Sequence, residues 1–565
     1  MTSESIYMNK PWLKSYEEGV PESIRYEEIM LPDILDRTAQ TFPDNKALIF
    51  QGYTLTYRQL KEMVDRFAAC LIDFGIGKGD AVSVLLPNLI PCVAAYYAIL
   101  KVGGIAVMNN PLYSDRELEH QFKDSGSKVL ITLDLLGNRM IDLRPKTNVT
   151  QIVYTSIGDY LPFPKNLLFP LVAKKQKLAA DVKPAPDLYK WKDCIAKYAP
   201  LSLKVKIDFE EVAMYQYTGG TTGVSKGAML THANLSKQVQ QIEAWFPKFS
   251  KGTETLLGAL PFFHVFGLST AMNLTIHMGW AHILVPKPQP DQLLEAIQKF
   301  RPTFAPLVPT MYIGLLNHPK IKQADMTSLK GCFSGSAPLP VEVIRDFEAA
   351  TGSVIVEGFG LTETTPVTHV NPFAGGTRKV GSIGVPISDT LARIVDMETG
   401  LNDVPVGETG ELIIKGPQVM KGYLNMPDET AYALRNGWCY TGDIAKMDED
   451  GYFYIVDRKK DLIISGGYNV YPRDIDEVFY ENPKVMEACA IGIPDPKRGE
   501  NVKVFVVLKE GETATEEEML EFCKKRLATY KLPTEIEFRK ELPKTTVGKI
   551  LRKELREEEL KKRQK

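Results

Sequence analysis

Short runs of β-branched and aliphatic residues alternate along this chain with stretches of helical periodicity, and this alternation limits the folds that it can adopt. Strands are predicted at AVSVLLP (81–87), KVLITL (128–133), QIVYT (151–155), VAMYQYT (212–218), AHILVP (281–286) and SVIVEGFG (353–360). Behind Thr231, a typical N-cap residue, apolar residues at helical spacing predict a helix: Leu235, Val239, Ile242 and Phe246. Strands and helices in alternation favour an α/β architecture with largely parallel sheets.

The pattern changes late in the chain, and this change predicts a second domain. At 565 residues the sequence is too long for one hydrophobic core. After YFYIVDRKKDLIISGGYNVYP (452–472) charged residues become frequent, and amphipathic helices are predicted at 516–527 and 549–563. We place the boundary near Asp457–Lys460, which gives one domain of residues 1–457 and another of residues 458–565.

Composition argues against several classes of protein. A net charge of −2 without a basic stripe is not typical of nucleic-acid binders. The seven cysteines form no C-x-x-C pair, so neither a disulfide framework nor a zinc site is indicated, and a reducing cytoplasmic setting is favoured. The N-terminus lacks the apolar core of a signal peptide. The most apolar run, Leu89–Val107, is interrupted by Pro91 and Lys101, and we interpret it as a buried helix followed by a turn and a strand.

The segment DYLPFPKNLLFPLVAKKQKL (159–178) combines Leu, Phe and Pro with four lysines, and two interpretations of it are open. The first is a surface loop packed by its own apolar residues. The second is a patch that rests on the inner membrane surface, with lysines on anionic headgroups and apolar side chains in the interface. A lipid substrate would favour the second interpretation.

The stretch YTGGTTGVSKG (217–227) predicts a phosphate-binding loop behind a strand. It differs from the P-loop of nucleotide triphosphatases, in which Gly-Lys is followed by Ser or Thr. Glycine lets the backbone pass close to a ligand, and successive N–H groups form an anion-binding concavity. The threonine hydroxyls add donors and Lys226 adds a positive charge. A turn of this composition can also be purely structural.

Three further stretches supply the groups that a nucleotide site would need. EGFGLTET (357–364) contains Glu363, a carboxylate for Mg²⁺, and YTGD (440–443) contains Asp443, a carboxylate for ribose hydroxyls. PKTTVGKI (543–550) places Lys549 in a second glycine-flanked loop near the C-terminus. Each stretch alone could be structural, but their joint occurrence predicts one site assembled from two domains.

These motifs resemble those of the adenylate-forming superfamily, which includes acyl-CoA synthetases, luciferases and adenylation domains. The likeness covers Leu31 to Leu555 and rests on YTGGTTGVSKG, EGFGLTET, YTGD, DRKKDLIISGGYN and PKTTVGKI. FSGSAPLP (333–340), PFFHVFGL (261–268) and segment 159–178 are most similar to bacterial long-chain fatty acid–CoA ligases. The resemblance implies a large N-terminal domain of doubly wound sheets with a distorted β-barrel, and a small mobile α+β C-terminal domain.

The resemblance also implies a reaction in two steps. A fatty acid carboxylate attacks the α-phosphorus of ATP in the presence of Mg²⁺, which gives an acyl-adenylate and pyrophosphate. The thiol of CoA then attacks the acyl carbonyl and AMP leaves. Both steps develop negative charge that fixed cations can stabilise. Other acceptors of the acyl group, a luciferase-like oxygenase and a non-catalytic lipid-binding protein are alternatives, and a homodimer is also left open.

Residues are assigned to the nucleotide by the same resemblance. The β- and γ-phosphates are expected on Thr218, Gly219, Gly220, Thr221, Thr222 and Lys226. Glu363 is expected to hold Mg²⁺ together with Thr218, and Thr362 to contact the α-phosphate. Asp443 and Arg458 are expected on the ribose. The adenine slot is expected between Gly335, Ser336, Ala337, Glu357, Gly358 and Phe359.

The reacting groups and the second domain complete these expectations. Lys549 is expected to reach both the α-phosphate and the substrate carboxylate, and His264 to orient the acyl group or the thiol. Lys460 is expected to be the hinge between the domains. The pantetheine channel and the CoA phosphates are expected at Gly466, Gly467, Tyr468 and Lys531. The acyl tunnel is expected to be lined by Phe262, Phe263, Ala305, Val308 and Pro309, although a core would show the same apolar residues.

Overall fold

The computed structural model describes residues 6–218, 225–373, 375–545 and 548–563. The strands of these residues are β1 (Lys46–Phe50), β2 (Tyr53–Thr56), β3 (Ala81–Leu85), β4 (Ile105–Met108), β5 (Val129–Leu133), β6 (Gln151–Thr155), β7 (Leu188–Lys190), β8 (Val212–Thr218), β9 (Lys226–Thr231), β10 (Thr255–Gly258), β11 (Ala281–Leu284), β12 (Phe304–Leu307), β13 (Gly331–Ser334), β14 (Ile355–Gly360), β15 (Val367–Val370), β16 (Val385–Pro386), β17 (Leu391–Val395), β18 (Gly410–Lys415), β19 (Gly422–Tyr423), β20 (Leu434–Arg435), β21 (Trp438–Met447), β22 (Phe453–Arg458), β23 (Ile463–Ser465), β24 (Tyr468–Val470), β25 (Val485–Asp495), β26 (Gly499–Leu508) and β27 (Glu535–Phe538).

The α-helices of the same residues connect and cover these strands. They are α1 (Leu31–Thr41), α2 (Tyr57–Asp73), α3 (Ile90–Lys101), α4 (Asp115–Ser125), α5 (Asp134–Leu143), α6 (Lys165–Gln176), α7 (Trp191–Lys197), α8 (His232–Trp245), α9 (Val265–Gly267), α10 (Leu274–Met278), α11 (Pro290–Phe300), α12 (Pro309–Leu316), α13 (Val341–Thr351), α14 (Pro427–Ala433), α15 (Pro472–Tyr480), α16 (Glu516–Lys524) and α17 (Arg552–Arg563). None of the helices in the described part of the chain is long and apolar enough to cross a bilayer.

Two large sheets with parallel centres form the frame of the N-terminal region. One has eight strands in the order β19-β9-β8-β4-β3-β5-β6-β7, and the other has nine in the order β16-β15-β14-β13-β12-β10-β11-β1-β2. The central strands of both sheets are parallel. The nine-stranded sheet has antiparallel pairs at both edges, whereas the eight-stranded sheet has them only at the β19 edge and ends in the parallel pair of β6 with β7. The strand order departs from the sequence order because helices cross over between parallel strands. The α/β prediction is therefore confirmed.

Two smaller sheets follow. The first is an antiparallel sheet, which lies where the resemblance implied a distorted barrel, with the order β17-β18-β21-β20 and β22 on β21. The last sheet has the order β24-β23-β26-β25, with β27 parallel to β26. The largest cluster of buried apolar residues runs from Tyr7 to Phe453, and two separate clusters lie between Ile463 and Leu555. The predicted boundary after residue 457 falls between these cores, and we retain it as a proposal.

The helix predicted behind Thr231 forms as expected. Helix α8 begins at His232, and the Thr231 hydroxyl accepts the backbone N–H of Asn234 while the Asn234 side chain accepts that of Thr231. This reciprocal capping box satisfies two of the free donors at the start of the helix. Helix α3 and strand β4 confirm the interpretation of Leu89–Val107, and every side chain of α3 except Lys101 is buried.

Two predictions of local structure were wrong. Residues 165–176 form helix α6 rather than a surface loop, although Pro170 lies inside it. Its apolar residues are not packed away either, since Leu167, Leu168 and Leu171 are exposed. The last helix begins at Arg552 rather than at residue 549, because Lys549 still belongs to a turn in which the N–H of Thr545 donates to its carbonyl. All seven cysteines are buried free thiols.

Candidate active site

Strand β8 leads into the predicted phosphate-binding loop. Its last residue, Thr218, is the register partner of Lys226, the first residue of the antiparallel strand β9. The glycine-rich stretch is thus the connection of a β-hairpin whose two ends are fixed by the eight-stranded sheet. Four of the predicted phosphate-binding residues lie outside the described residues: Gly219, Gly220, Thr221 and Thr222.

Lys226 is buried and already has a carboxylate partner. Its amine forms an ion pair with Glu429 on helix α14, and lies 5.1 Å from the centre of the Tyr423 ring. The side chain of Lys226 is 10% exposed, whereas that of Glu429 is 37% exposed. Glu429 can therefore turn into water and leave the lysine to another anion. The sequence prediction contained neither Tyr423 nor Glu429, because both reach Lys226 only through the pairing of β9 with β19.

Glu363 lies in a single 3₁₀ turn, Thr362–Thr364, that follows the end of β14. The Tyr423 hydroxyl donates to one oxygen of its carboxylate at 2.6 Å. Within the described residues no group of three or more His, Cys, Asp and Glu side chains could hold a metal ion. One carboxylate is still sufficient for Mg²⁺, which is commonly held by one or two carboxylates plus substrate phosphates. The oxygen chemistry of Glu363 therefore fits this ion.

Asp443 and Arg458 face each other across the pairing of β21 with β22. The Arg458 Nε lies 3.2 Å from Oδ1 of Asp443. The other oxygen, Oδ2, is buried and has no hydrogen-bond partner in the described structure. A buried acceptor without a donor is costly in free energy. A ribose hydroxyl would supply the missing donor, so this oxygen fits the predicted ribose contact.

The residues of the predicted adenine slot lie on two neighbouring parallel strands or directly after one of them. Ser334 of β13 and Glu357 of β14 are register partners, so Gly335–Ala337, which follow β13, lie beside Gly358 and Phe359, which are still within β14. A Cβ on Gly358 would lie 2.5 Å from the ring of Phe333, and one on Gly335 would lie 3.0 Å from that of Phe266. Packing of protein rings thus accounts for both glycines, and their contact with adenine stays a prediction.

Glu357 is engaged by the protein itself. One carboxylate oxygen accepts the N–H of Gly381 at 3.1 Å. Burial raises the pKa of Glu357 to about 7, although the positive charge of Arg473 opposes this shift. Arg473 lies on helix α15 and donates to the carbonyl of Ile455 at 2.5 Å. Glu357 therefore lies where the N-terminal region meets the helix that follows the predicted hinge.

His264 caps the short helix α9 with its ring. Its Nδ1 accepts the backbone N–H of Phe266 at 3.2 Å, so the neutral ring carries its proton on Nε2. Burial, reinforced by the positive charge of Lys549, lowers the pKa of His264 to about 4. The ring is therefore neutral at physiological pH, and Nε2–H is a hydrogen-bond donor close to the C-terminal lysine.

Lys549 reaches this site from the C-terminal region. Burial, together with the charges of Arg458 and Lys460, lowers the pKa of its amine to about 7, while Asp443 opposes the shift. The preceding Gly548 has a left-handed φ of 73°, and a Cβ there would lie 2.0 Å from the Thr310 hydroxyl. The turn that carries Lys549 therefore packs directly against helix α12 of the N-terminal region.

The predicted acyl tunnel is closed core in this structure. Phe262, Ala305 and Val308 are fully buried in the main cluster, and Pro309 begins helix α12. A separate void of about 10 Å³, which would hold about one water, is lined by Ile242, Trp245, Phe246, Thr270, Leu274, Phe304, Phe333, Val367, Val370 and Ile387. None of the five predicted tunnel residues lines this void, so the tunnel stays a prediction.

The residues predicted to bind CoA lie together on the small sheet. Gly466 and Gly467, with φ of 60° and 82°, form the turn between β23 and β24. The exposed ring of Tyr468 stacks on Tyr530 at 4.7 Å, and the adjacent Lys531 forms an ion pair with Asp474 at 2.5 Å. At the predicted hinge, burial lowers the pKa of Lys460, whose carbonyl accepts the Arg556 guanidinium at 3.4 Å.

Comparison with known proteins identifies relatives over nearly the whole chain. Residues 35–424 match the family described as AMP-binding enzyme, and residues 474–549 match the AMP-binding enzyme C-terminal domain. The long-chain-fatty-acid–CoA ligase of Bacillus subtilis is 49% identical over 97% of this chain and 98% of its own. That of Escherichia coli is 39% identical over 98% of both chains. ATP-bound MatB from Rhodopseudomonas palustris superposes with a TM-score of 0.82 at 30% identity, covering 94% of this chain and 99% of its own.

Proposed function

This chain belongs to the AMP-binding enzyme family, as its motifs predicted, and we propose that it activates long-chain fatty acids with ATP and transfers them to CoA. The products are acyl-CoA, AMP and pyrophosphate. The named relatives support the substrate, since ligases for long-chain fatty acids match over nearly their full length. The structural observation that carries the proposal is the lysine of the C-terminal region, Lys549, docked beside Asp443 and Arg458.

The first half-reaction brings two anions together, and the chain supplies cations for both. The fatty acid carboxylate attacks the α-phosphorus, and the bond from that phosphorus to the bridging oxygen breaks, so pyrophosphate leaves. Lys226 would hold the leaving phosphates once Glu429 has turned away, and Lys549 would neutralise the α-phosphate and the attacking carboxylate. Mg²⁺, held by Glu363 and Thr218, would supply further neutralisation of phosphate charge.

Substrate anions would also change Lys549 itself. Without substrate its amine is buried, and burial together with the charges of Arg458 and Lys460 disfavours the charged form more than Asp443 and Asp461 favour it. A phosphate and a carboxylate placed beside the amine would reverse this balance and restore its positive charge. The lysine would therefore be fully charged only when there is charge to neutralise.

The second half-reaction requires room for the thiol of CoA beside the acyl carbonyl. We propose that the C-terminal region rotates at Lys460, so that Lys549 leaves and the turn at Gly466, Gly467 and Tyr468 takes its place. A few residues at the end of an element can absorb such a rotation. The neutral His264, with its Nε2–H, would then orient the acyl carbonyl or the thiol, and Lys531 would lie close to the phosphates of CoA.

The direct test is AMP formation with ATP, Mg²⁺, CoA and a panel of straight-chain acids of stepped length. We expect AMP to appear only with acid, and to be highest with long chains. If AMP forms with the acid but no acyl-CoA accompanies it, another acceptor is used. If no acid of any length gives AMP or supports pyrophosphate exchange, the proposed activity is wrong.

We also propose that helix α6 rests on the inner membrane surface and that the enzyme acts in the cytoplasm. Four strongly exposed apolar side chains lie within nine residues: Phe163 at 78%, Leu167 at 65%, Leu168 at 55% and Leu171 at 77% exposure. The opposite face is anchored to the body, because Ala173 is buried and Phe169 packs on Gly158. A helix that is apolar on both faces is not typical of a water-exposed surface.

The occupant that fits this face is an anionic lipid surface. Lys165 and Lys177 stand exposed at the two ends of the helix, where they can meet headgroups while the leucines enter the interface. The substrate supports this choice, since long-chain acids partition into bilayers.

Vesicle flotation with phosphatidylglycerol-containing liposomes tests the proposed membrane contact. Leu168→Asp and Leu171→Asp together should abolish flotation without changing activity on a short, soluble acid. Leu401→Asp, a change at a leucine that is 61% exposed in another loop, is the matched control and should still float. Wild-type enzyme that stays at the bottom of the gradient would contradict the contact.

Whether the enzyme also forms a homodimer is tested by light scattering, which compares the mass in solution with the 63.2 kDa mass of one chain.

A further inference from the structure

One buried tyrosine contacts two of the residues assigned to ATP. The hydroxyl of Tyr423 donates to the Glu363 carboxylate at 2.6 Å, and the face of its ring lies 5.1 Å from the Lys226 amine. The residue is 8% exposed. A hydrogen bond from a phenol fixes a carboxylate in one orientation, and a ring face attracts a cation. Tyr423 therefore holds both a predicted Mg²⁺ ligand and a predicted phosphate ligand.

The backbone around Tyr423 is held on both sides. Strand β19 pairs with β9, where Tyr423 is the register partner of Ala228, two residues after Lys226. The N–H of Tyr423 donates to the Thr430 hydroxyl at 2.8 Å, and the N–H of Leu424 donates to the carbonyl of Gly227 at 2.8 Å. These bonds fix the backbone of Tyr423 to the sheet, and burial of the ring together with its hydrogen bond to Glu363 fixes the side chain.

The same short stretch supplies the carboxylate that pairs with Lys226. Glu429 lies on helix α14, one residue before the Thr430 that fixes the tyrosine. The chain Glu429–Lys226–Tyr423–Glu363 thus runs from a half-exposed acid to the predicted metal ligand. Its two ends differ in what ATP would do to them, because phosphate would replace Glu429, whereas Glu363 would hold the Mg²⁺ ion.

We propose that Tyr423 is the positioning residue that sets Glu363 for Mg²⁺ and Lys226 for phosphate, and that Glu429 occupies the phosphate position until ATP displaces it. This inference rests on the proposed function. It assigns different roles to the tyrosine hydroxyl, which acts only on Glu363, and to Glu429, which acts only on Lys226. The two roles can be separated because Tyr423→Phe removes the hydroxyl and keeps the ring.

Calorimetric titration of ATP into acid-free enzyme, with Mg²⁺ and with EDTA, measures the two roles without turnover. Tyr423→Phe should leave the Kd of ATP in EDTA unchanged and should lose about tenfold of the tightening that Mg²⁺ brings. Glu429→Gln should bind ATP about twofold to fivefold more tightly under both conditions, since an ion pair of this exposure competes only weakly. Tyr432→Phe and Asp428→Asn, at exposed positions of the same helix, are the matched controls and should match wild type.

Pyrophosphate exchange then tests whether the binding effects appear in the reaction. Tyr423→Phe should raise the Mg²⁺ concentration required for half-maximal rate, and excess Mg²⁺ should restore most of the rate. Glu429→Gln should lower the KM for ATP with little change in kcat.

Two results would overturn the inference. If Tyr423→Phe has the Mg²⁺ dependence of wild type, the hydroxyl does not set Glu363. If Glu429→Gln binds ATP no more tightly than Asp428→Asn, Glu429 does not occupy the phosphate position. Failure of the proposed function is distinguishable from both, because wild-type enzyme would then show neither ATP binding nor exchange with any fatty acid.

Discussion

Lys226 and Lys549 are the two lysines assigned to ATP, and the fold treats them in opposite ways. Lys226 begins a strand of the eight-stranded sheet, has a carboxylate partner in Glu429 and lies over an aromatic ring. Lys549 lies in a turn that packs against helix α12 and has no ion-pair partner within the described residues; burial, together with the charges of Arg458 and Lys460, lowers its pKa to about 7, although Asp443 and Asp461 oppose the shift. Lys226 is therefore fixed in the sheet with its charge neutralised by Glu429, whereas Lys549 is buried without an ion pair among the described residues.

The contrast shows why the second lysine can be the movable one. A cation with its own partner gains little from docking elsewhere, whereas a buried amine without an ion pair gains from each anion that arrives. We therefore expect docking of Lys549 to become more favourable when ATP and the fatty acid are bound, and less favourable once pyrophosphate has left. The electrostatics of the site would then drive the change between the two half-reactions.

Removal of the movable amine should have the largest effect. Lys549→Ala should slow adenylate formation about 10²–10³-fold, which is typical for loss of a charge donor in the transition state. Thioester formation from supplied acyl-adenylate and CoA should stay near the wild-type rate, because the amine has left by that step. Pyrophosphate exchange and AMP release measure the two steps separately, and equal losses in both would refute the division of labour.

Obstruction of docking should have the next largest effect. In Gly548→Ala the added Cβ meets the Thr310 hydroxyl at 2.0 Å and the φ of 73° is strained, so adenylate formation should fall about tenfold or more. Gly511→Ala is the matched control, because its φ of 82° is as strained but no atom lies within 4 Å. Addition of Thr310→Ala to Gly548→Ala should restore part of the rate. If Gly548→Ala behaves like Gly511→Ala, docking does not depend on this contact.

Restriction of the hinge should act on the other half-reaction. Lys460→Pro fixes one backbone angle and should slow thioester formation by about tenfold while adenylate formation changes little. Stopped-flow measurement of acyl-CoA formation, with adenylate formed beforehand, gives the rate of this step. Unchanged overall turnover would mean that the rotation occurs at another residue.

Change of pH should act through Lys549 on the stability of the protein rather than on one half-reaction. The lowered pKa of Lys549 means that the docked state binds fewer protons than the unfolded chain between about pH 7 and 10.5. Stability of the substrate-free enzyme therefore rises with pH in this window, by at most about 1.4 kcal/mol per unit, and shows no contribution from Lys549 below it. Denaturant titrations should show that Lys549→Met lacks this rise, and an identical profile for both proteins would contradict the lowered pKa.

Local sequence signals were sufficient for the frame of the molecule. Strands β6 and β8 occupy the predicted residues because each is a short apolar run with turn residues at its ends. The start of helix α8 was predicted from Thr231, a typical N-cap residue in front of apolar residues at helical spacing. The candidate phosphate-binding, ribose-binding and docking residues were predicted from motifs that a known family shares, and in the structure Lys549 lies close enough to Asp443 and Arg458 for their charges to shift its pKa.

Contacts between distant parts of the chain could not be predicted from local sequence patterns. Glu429 lies 203 residues from Lys226 and Tyr423 lies 60 residues from Glu363, and neither has a local pattern that separates it from an ordinary helix acid or a strand aromatic. Helix α6 was missed for another reason. Three prolines, at 162, 164 and 170, suggested a loop, yet Pro164 only precedes the first turn and the helix continues through Pro170.

Burial of every cysteine has a consequence for an enzyme whose second substrate is a thiol. Each of the seven cysteines is at most 4% exposed. Under oxidising stress the CoA pool is partly converted to its dimer, which exchanges readily with any reachable protein thiolate. Because none of its cysteines is exposed, the ligase would not form a mixed disulfide with CoA. It would therefore resume turnover once reduced CoA is available again.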